Sequence, residues 1–381
     1  MNVLLMLIGV LIVYYIILMI YRKNWNKGLS LDISFSSKHV VKGETVNLVE
    51  VVTNDKWLVL PFIHLKFEIN RELIFKENDE NSKISDKTYR NDVFSLLFHQ
   101  KITRRIPVVC DARGVYRITE AQLIFSGPFM SEIMISKKKV DAEITVYPKS
   151  EDAELLEVVS NRLEGDLERQ SYIYSDRFMF RGIRQYQSFD SIRDVNWKAS
   201  AKNSELMVNQ YNDTINKKVC ILLNLESDGM LKYKALGEMS ISFAAGIAQK
   251  LIEDGISVSV ISNGKDIDTD ENINVSFGSD YTHLNIINTA LARIDINKEQ
   301  DEFSDVIENV IDKESRGNCV QDDEDCVYIV ISESRRKKLQ ENISRLLYKQ
   351  DEIIWLLPYH NDMSVELEYC DIKPVCVKVD Y

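Results

Sequence analysis

A chain of 381 residues, 45% hydrophobic and 28% charged, has room for two or three domains that each bury a core. Its net charge of -12, with no basic stripe to offset it, speaks against a nucleic-acid partner, whose phosphates are held by clustered Lys and Arg. Cys110, Cys220, Cys319, Cys326, Cys370 and Cys376 form no CxxC pair, and no His stands at zinc-ligand spacing, so free thiols in a reducing compartment are expected.

From Met1 to Tyr21 the chain carries no charged side chain. At ~1.5 Å per helical residue this run reaches roughly the ~30 Å of bilayer hydrocarbon, and neither a basic leader nor a small-residue cleavage site accompanies it. Residues 1–21 therefore read as an uncleaved single-pass anchor in the cell membrane. Arg22, Lys23 and Lys27 follow directly, and the positive-inside rule places the remaining chain in the cytoplasm.

Residues 22–150 read as an antiparallel, immunoglobulin-like β-sandwich. Ile63, Leu65, Phe67 and Ile69 alternate with Phe62, His64, Lys66 and Glu68, the period of a strand with one buried and one wet face. Similar runs are TVNLVEVV, GVYRI, AQLIF and EITVY, separated by turn residues at Lys42-Gly43, Arg113-Gly114 and Gly127-Pro128. The polar run over residues 76–92 reads as a long mobile loop. Residues 151–216 form a connector, opening with a helix over 151–169 that carries Leu155, Leu156, Val158, Val159 and Leu163.

From residue 217 to 381 the pattern alternates. VCILLNL is an uninterrupted apolar strand, the helix over 232–255 stops at Gly255, and ISVSVIS is the next strand. Helices over 280–294 and 304–315, the strand CVYIVIS, a helix over 335–351 and the strand EIIWLLP complete an open parallel sheet with helices on both faces.

The least generic stretch lies between, over residues 182–211. Ser191 and Asp194 have capping-box spacing, which predicts a short helix from Ile192 to Ala201, with Asn203 in a left-handed position after it and ELMVNQY as a strand. Arg193 is one helical turn from Trp197 and three residues from Asp190, so it can stack on the indole while pairing a carboxylate. Two readings stand: a buried clamp in which Trp197 and Arg193 fasten the segment, or a docking surface offering Arg184, Lys198 and Lys202 to a partner. Catalysis has little to work with. No His lies between residues 100 and 282, no Cys between 111 and 219, and Ser200 has no base beside it, so no nucleophile, base and orienter assemble. Neither a P-loop nor a dinucleotide fingerprint is present.

On Arg184, Tyr186, Asp190, Arg193, Trp197, Ser200, Ala201, Glu205 and Leu206, together with ARGVYRI, SGPF and VYP earlier in the chain, the sequence resembles the bacterial family called domain of unknown function 58. The resemblance extends over nearly the whole chain and departs at Phe189, where that family has Gly. It implies a membrane anchor, a β-sandwich and a domain similar to von Willebrand factor type A. It also implies a non-catalytic adaptor that works with a MoxR-type AAA+ ATPase in assembling or activating a membrane or envelope complex. Domains of that type often hold a divalent ion on Asp-x-Ser-x-Ser, where this chain has Asn224, Glu226 and Asp228, with Glu333 a further acid at a strand end. These are oxygen donors of the kind Mg²⁺ or Ca²⁺ accepts, but the usual set is absent, and no cofactor is expected. The alternatives are a metal-dependent hydrolase using Glu226, Asp228 and Glu333, and an outward-facing module that binds an envelope ligand.

Overall fold

Residues 2–75, 82–84, 88–130, 132–150, 180–187, 192–211, 218–227, 234–315, 326–349, 353–360 and 374–379 are described by the computed structural model. They fall into two units, Met1–Lys149 and Ser150–Tyr381.

The first unit opens with helix α1 (Asn2–Asn24), long and apolar enough over Val3–Asn24 to cross a membrane. Strands β1 (Leu29–Phe35), β2 (His39–Val41), β3 (Thr45–Asn54), β4 (Leu60–Ile69) and β5 (Leu73–Phe75) follow. Then come β6 (Ser82–Ile84), β7 (Thr88–Leu96), β8 (Gln100–Cys110), β9 (Gly114–Ser126) and β10 (Ile133–Tyr147). They form a β-sandwich of a four-stranded sheet, β1-β3-β8-β5, and a six-stranded sheet, β2-β10-β9-β4-β7-β6. Strand β4 buries Ile63, Leu65, Phe67 and Ile69, the face its alternation predicts.

Three local expectations change. GVYRI and AQLIF are two halves of the single strand β9, and one pair, β10 with β2, is parallel. The polar run over 76–92 is not loop throughout, since β6 lies within it and β7 starts at Thr88. Strand β7 buries Thr88, Arg90 and Asp92 on its inward face, where a hydropathy pattern expects apolar side chains. Their charges are met inside the sandwich: Arg104 Nη1 reaches across from β8 to donate to Asp92 Oδ1 at 2.7 Å, and Arg90 donates to Asp92 on its own strand, with the Glu50 carboxyl 3.8 Å away. Each guanidinium also caps a ring, Arg90 over Phe75 at 4.5 Å and Arg104 over Phe94 at 4.4 Å.

ARGVYRI has a local cause as well. Gly114 takes φ +148, and the Tyr116 hydroxyl turns back to donate to the carbonyls of Ala112 at 2.9 Å and Arg113 at 3.2 Å, closing the corner between β8 and β9.

In the second unit β11 (Phe180–Gln185) pairs antiparallel with β12 (Met207–Tyr211), and α2 (Trp197–Asn203) lies in the connection between them. The helix expected over 151–169 lies outside the described residues. Next come β13 (Lys218–Leu223), α3 (Lys234–Glu253), β14 (Ser257–Lys265), β15 (Asn272–Gly278), α4 (Tyr281–Ala292) and α5 (Phe303–Ser315). Strand β16 (Cys326–Ile331), α6 (Lys337–Lys349), β17 (Ile353–Tyr359) and β18 (Val375–Lys378) complete the unit. The sheet order is β15-β14-β13-β16-β17-β18.

Strand β13 is covered on both faces, as its unbroken apolar run requires. Val219, Ile221 and Leu223 join the core that includes Ile241 and Phe243 of α3 and Ile287 of α4, whereas Cys220 and Leu222 join Phe303 of α5 and Leu339 of α6. Helix α3 ends where Gly255, at φ +75, lets the amides of Gly255 and Ile256 return to the carbonyls of Ile252 and Leu251. The sheet is mixed rather than wholly parallel: β15 runs antiparallel to β14 at one edge, and β18 extends the other.

Candidate functional site

The signature segment folds from a different residue than its spacing predicts. A 3-10 turn covers Ile192–Asp194, and α2 starts only at Trp197, with Asn196 as its N-cap. Asn196 Oδ1 accepts the Ala199 amide at 2.9 Å and its Nδ2 donates to Asn209 on β12 at 2.7 Å. Ser191 and Asp190 lie outside the described residues, and the left-handed residue after the helix is Ser204, φ 58, not Asn203.

What fastens the segment is polar and small. The Ser200 hydroxyl is buried, donates to the Asn196 carbonyl at 2.8 Å and accepts the Met207 amide at 2.8 Å. Val195 bridges to Val208, and both are buried. Met207 and Leu206 carbonyls accept the amides of Asn196 and Tyr186, each at 2.8 Å. The burial expected of a clamp made by Trp197 and Arg193 is not found: Trp197 is 65% exposed and Arg193 is exposed too, while Asp190, the expected partner of Arg193, lies outside the described residues. An indole that exposed carries little of the folding free energy a buried one does. Asn196, missed in the sequence, was legible as an N-cap residue directly before a helix-compatible run.

The remaining signature residues ring that exposed indole in sequence. Lys198, Lys202 and Glu205 are exposed, Glu205 accepting from Gln185, while Arg184 and Tyr186 are half-buried. Asp194 ends the 3-10 turn. Ile183, Ile192 and Leu206 are exposed as well, so the segment presents apolar and cationic groups together.

The second candidate lies at the carboxyl ends of the central strands, where open α/β sheets place ligands. Asn224, just after β13, is 1% exposed and fully engaged. Its Nδ2 donates to Ser332 Oγ at 2.9 Å, and its Oδ1 accepts Asn263 Nδ2 at 3.0 Å and the Glu226 amide at 2.9 Å. Asn263 Oδ1 in turn accepts the Leu225 amide at 2.9 Å. The segments just after β13 and β16 are thus locked to the end of β14 by neutral amides and a hydroxyl. Glu226 is paired with Arg336, whose guanidinium also donates to the Ser227 carbonyl at 3.3 Å. Glu333 is buried beside Ser332, and Asp228 lies outside the described residues.

Among the described residues, Asn224 and Glu226 are not free to hold a divalent ion. Both ends of the Asn224 amide are spent on protein partners, and the charge opposite Glu226 is an arginine. Among the described residues no three His, Cys, Asp or Glu side chains converge.

No family model matches the chain, and no curated protein does. Among solved structures it is similar to the CARDB domain of the PF1109 protein in complex with di-metal ions from Pyrococcus furiosus, at 14% identity over 32% of this chain and 94% of that one, TM-score 0.23. It is also similar to a cohesin module from a Clostridium perfringens family 33 glycoside hydrolase, at 13% identity over 32% of this chain and 99% of that one, TM-score 0.23. A non-cellulosomal cohesin from Archaeoglobus fulgidus matches at 10% identity over 31% of this chain and 91% of that one, TM-score 0.20. Likenesses this distant are to β-sandwich modules and say nothing of what this chain does.

Proposed function

We propose that the chain is a membrane-anchored, non-catalytic adaptor of the domain of unknown function 58 type. On this reading its sandwich is immunoglobulin-like, its α/β unit is similar to von Willebrand factor type A, and both lie in the cytoplasm. Its partner is a MoxR-type AAA+ ATPase that supplies the energy for assembling or activating a membrane or envelope complex.

The observation that carries this reading is the exposure of Trp197. Folding secures the signature through Asn196, Ser200 and Val195, and leaves Trp197, Arg193, Lys198 and Lys202 outside. Tryptophan and arginine are the residues most often found as binding anchors, each worth ~2 kcal/mol or more at the centre of an interface, about 30-fold in affinity. Exposed cations close in sequence to an exposed indole offer such an anchor.

The test is a pull-down of the detergent-solubilised full chain, with and without ATP, comparing the parent with Trp197→Ala and with the double variant Lys198→Ala, Lys202→Ala. Both variants should melt like the parent, and Trp197→Ala should lose the ATPase. If Trp197→Ala melts lower while the ATPase is retained, the segment is structural and the adaptor reading of the signature fails.

A further inference from the structure

The membrane anchor and the sandwich share a face. Along α1 and just past its end the side chains of Tyr14, Ile17, Leu18, Tyr21 and Trp25 are partly or fully covered, at spacings of three and four, while Tyr15, Ile16, Met19, Ile20, Arg22 and Lys23 between them are exposed. Tyr21 and Trp25 stack on Phe125 of β9, with ring centroids 5.7 and 5.9 Å apart, and the Tyr21 hydroxyl donates to the Val59 carbonyl at 2.9 Å. Further along, Tyr14 meets Phe129 at 5.1 Å. From Phe125 to Phe129 the chain therefore runs along α1 from Tyr21 back to Tyr14, and the turn between β9 and β10 points toward the middle of the apolar helix.

Length turns this contact into a constraint. The uncovered part of α1, residues 3–13, reaches only about 17 Å at ~1.5 Å per residue, short of the ~30 Å of hydrocarbon. A helix that crosses must place Tyr14 and the turns after it among the lipid chains, and the turn packed on them goes too.

The turn is built for that position. Phe129 and Met130 at its tip are exposed, as are Ile133 and Ile135 on the outward face of β10. On the same face Lys137 and Lys139 come next, roughly 14 to 20 Å from Ile133 at ~3.4 Å per residue. Glu132, the acid within this stretch, is paired with Arg22 of α1. A second exposed aromatic pair, Trp57 stacked on Phe98 at 5.4 Å, flanks the helix end, where Trp57 lines a recess with Ile20, Asn24 and Lys56. Scattered apolar side chains are ordinary on any surface, but aromatic and aliphatic groups gathered beside an apolar helix and followed by lysines match the order of a bilayer interface.

We infer that the sandwich is seated in the bilayer, with Phe129 and Met130 inserted among the lipid chains beside α1 and Lys137 and Lys139 at the headgroups. The inference rests on the reading of α1 as a membrane anchor. It makes the anchor and the sandwich one rigid attachment rather than a bead on a flexible stalk.

Nitroxide depth measurements on the full chain in phosphatidylcholine and phosphatidylglycerol vesicles test it. The background carries Cys319→Ser, Cys370→Ser and Cys376→Ser, and keeps the buried thiols of Cys110, Cys220 and Cys326. Single labels go on Ile12→Cys for the anchor, on Met130→Cys and Ile133→Cys for the turn, and on Ser37→Cys, an exposed residue after β1. Accessibility to oxygen relative to a water-soluble nickel complex should be severalfold higher at 12, 130 and 133 than at 37. If 12 is immersed while 130 and 133 respond like 37, the insertion is overturned and the anchor stands. If 12 also responds like 37, the anchor reading fails and the insertion with it.

Discussion

Arg90→Met removes one charge from the ionic cluster inside the sandwich and keeps an aliphatic stem against Phe75. Arg90 is 3% exposed and Asp92 0%, so the variant leaves the Asp92 carboxylate buried with Arg104 as its remaining named cation. Breaking a buried pair from one side costs about 3 to 5 kcal/mol. At ~2 to 4 °C per kcal/mol for a unit of this size, the sandwich should melt roughly 10 °C lower. The companion variant is Glu50→Gln. Burial, and then the charge of Asp92, push the Glu50 carboxyl from its ordinary 4.5 up to about 8, so at neutral pH it is uncharged and a glutamine replaces it at little cost. The sign follows from linkage. A carboxyl whose folded pKa is raised contributes stability that is complete below 4.5 and is lost as pH rises toward about 8, with a slope of at most ~1.4 kcal/mol per pH unit. Calorimetric melting of the detergent-solubilised chain between pH 5 and 8 reads both effects: the parent loses stability across the window relative to Glu50→Gln, and Arg90→Met is the less stable variant at pH 7. The reasoning is refuted if Arg90→Met melts with the parent, or if Glu50→Gln is as damaging at pH 7 as Arg90→Met.

Orientation is best read from Cys376, which is exposed, because Cys110 is buried and burial pushes its thiol up to about 11. A membrane-impermeant maleimide should miss Cys376 in intact cells and label it after lysis; labelling in intact cells reverses the topology. For the strand-end site, Mg²⁺ added to the full chain in detergent should bind no more tightly than about millimolar, since Asn224 is committed to Ser332 and Asn263, and Glu226 to Arg336. Calorimetry that found a micromolar site, abolished by Asp228→Ala, would revive the hydrolase alternative.

The parts of the fold that could be read from the chain are those in which hydropathy and burial coincide. Strand β4 alternates because one face meets the core, and β13 is unbroken because both faces do. Where a buried position is polar the same rule misleads, and Thr88, Arg90 and Asp92 made a core strand look like the end of a loop. Edge strands fail for a related reason. Strand β15 buries only Ile273 and Val275, and β18 is four residues long, so neither offers an apolar run long enough to announce itself.

The signature segment reverses that error. Spacing alone gives Arg193 and Trp197 a plausible shared face, but the helix starts at Trp197, where the Asn196 side chain accepts the Ala199 amide as its N-cap. That shift of start leaves Arg193 in the preceding 3-10 turn and exposes the indole, while Ser200 and Val195 take over the fastening. A residue whose type contradicts its environment costs stability or solubility unless something compensates. Inside the sandwich the compensation for Arg90 is visible, as the Asp92 carboxylate and the ring of Phe75. Trp197 and Phe129 are both apolar and both exposed among the described residues, and on the two proposals made above a protein surface would cover the one and lipid the other, which packs on Tyr14 of α1.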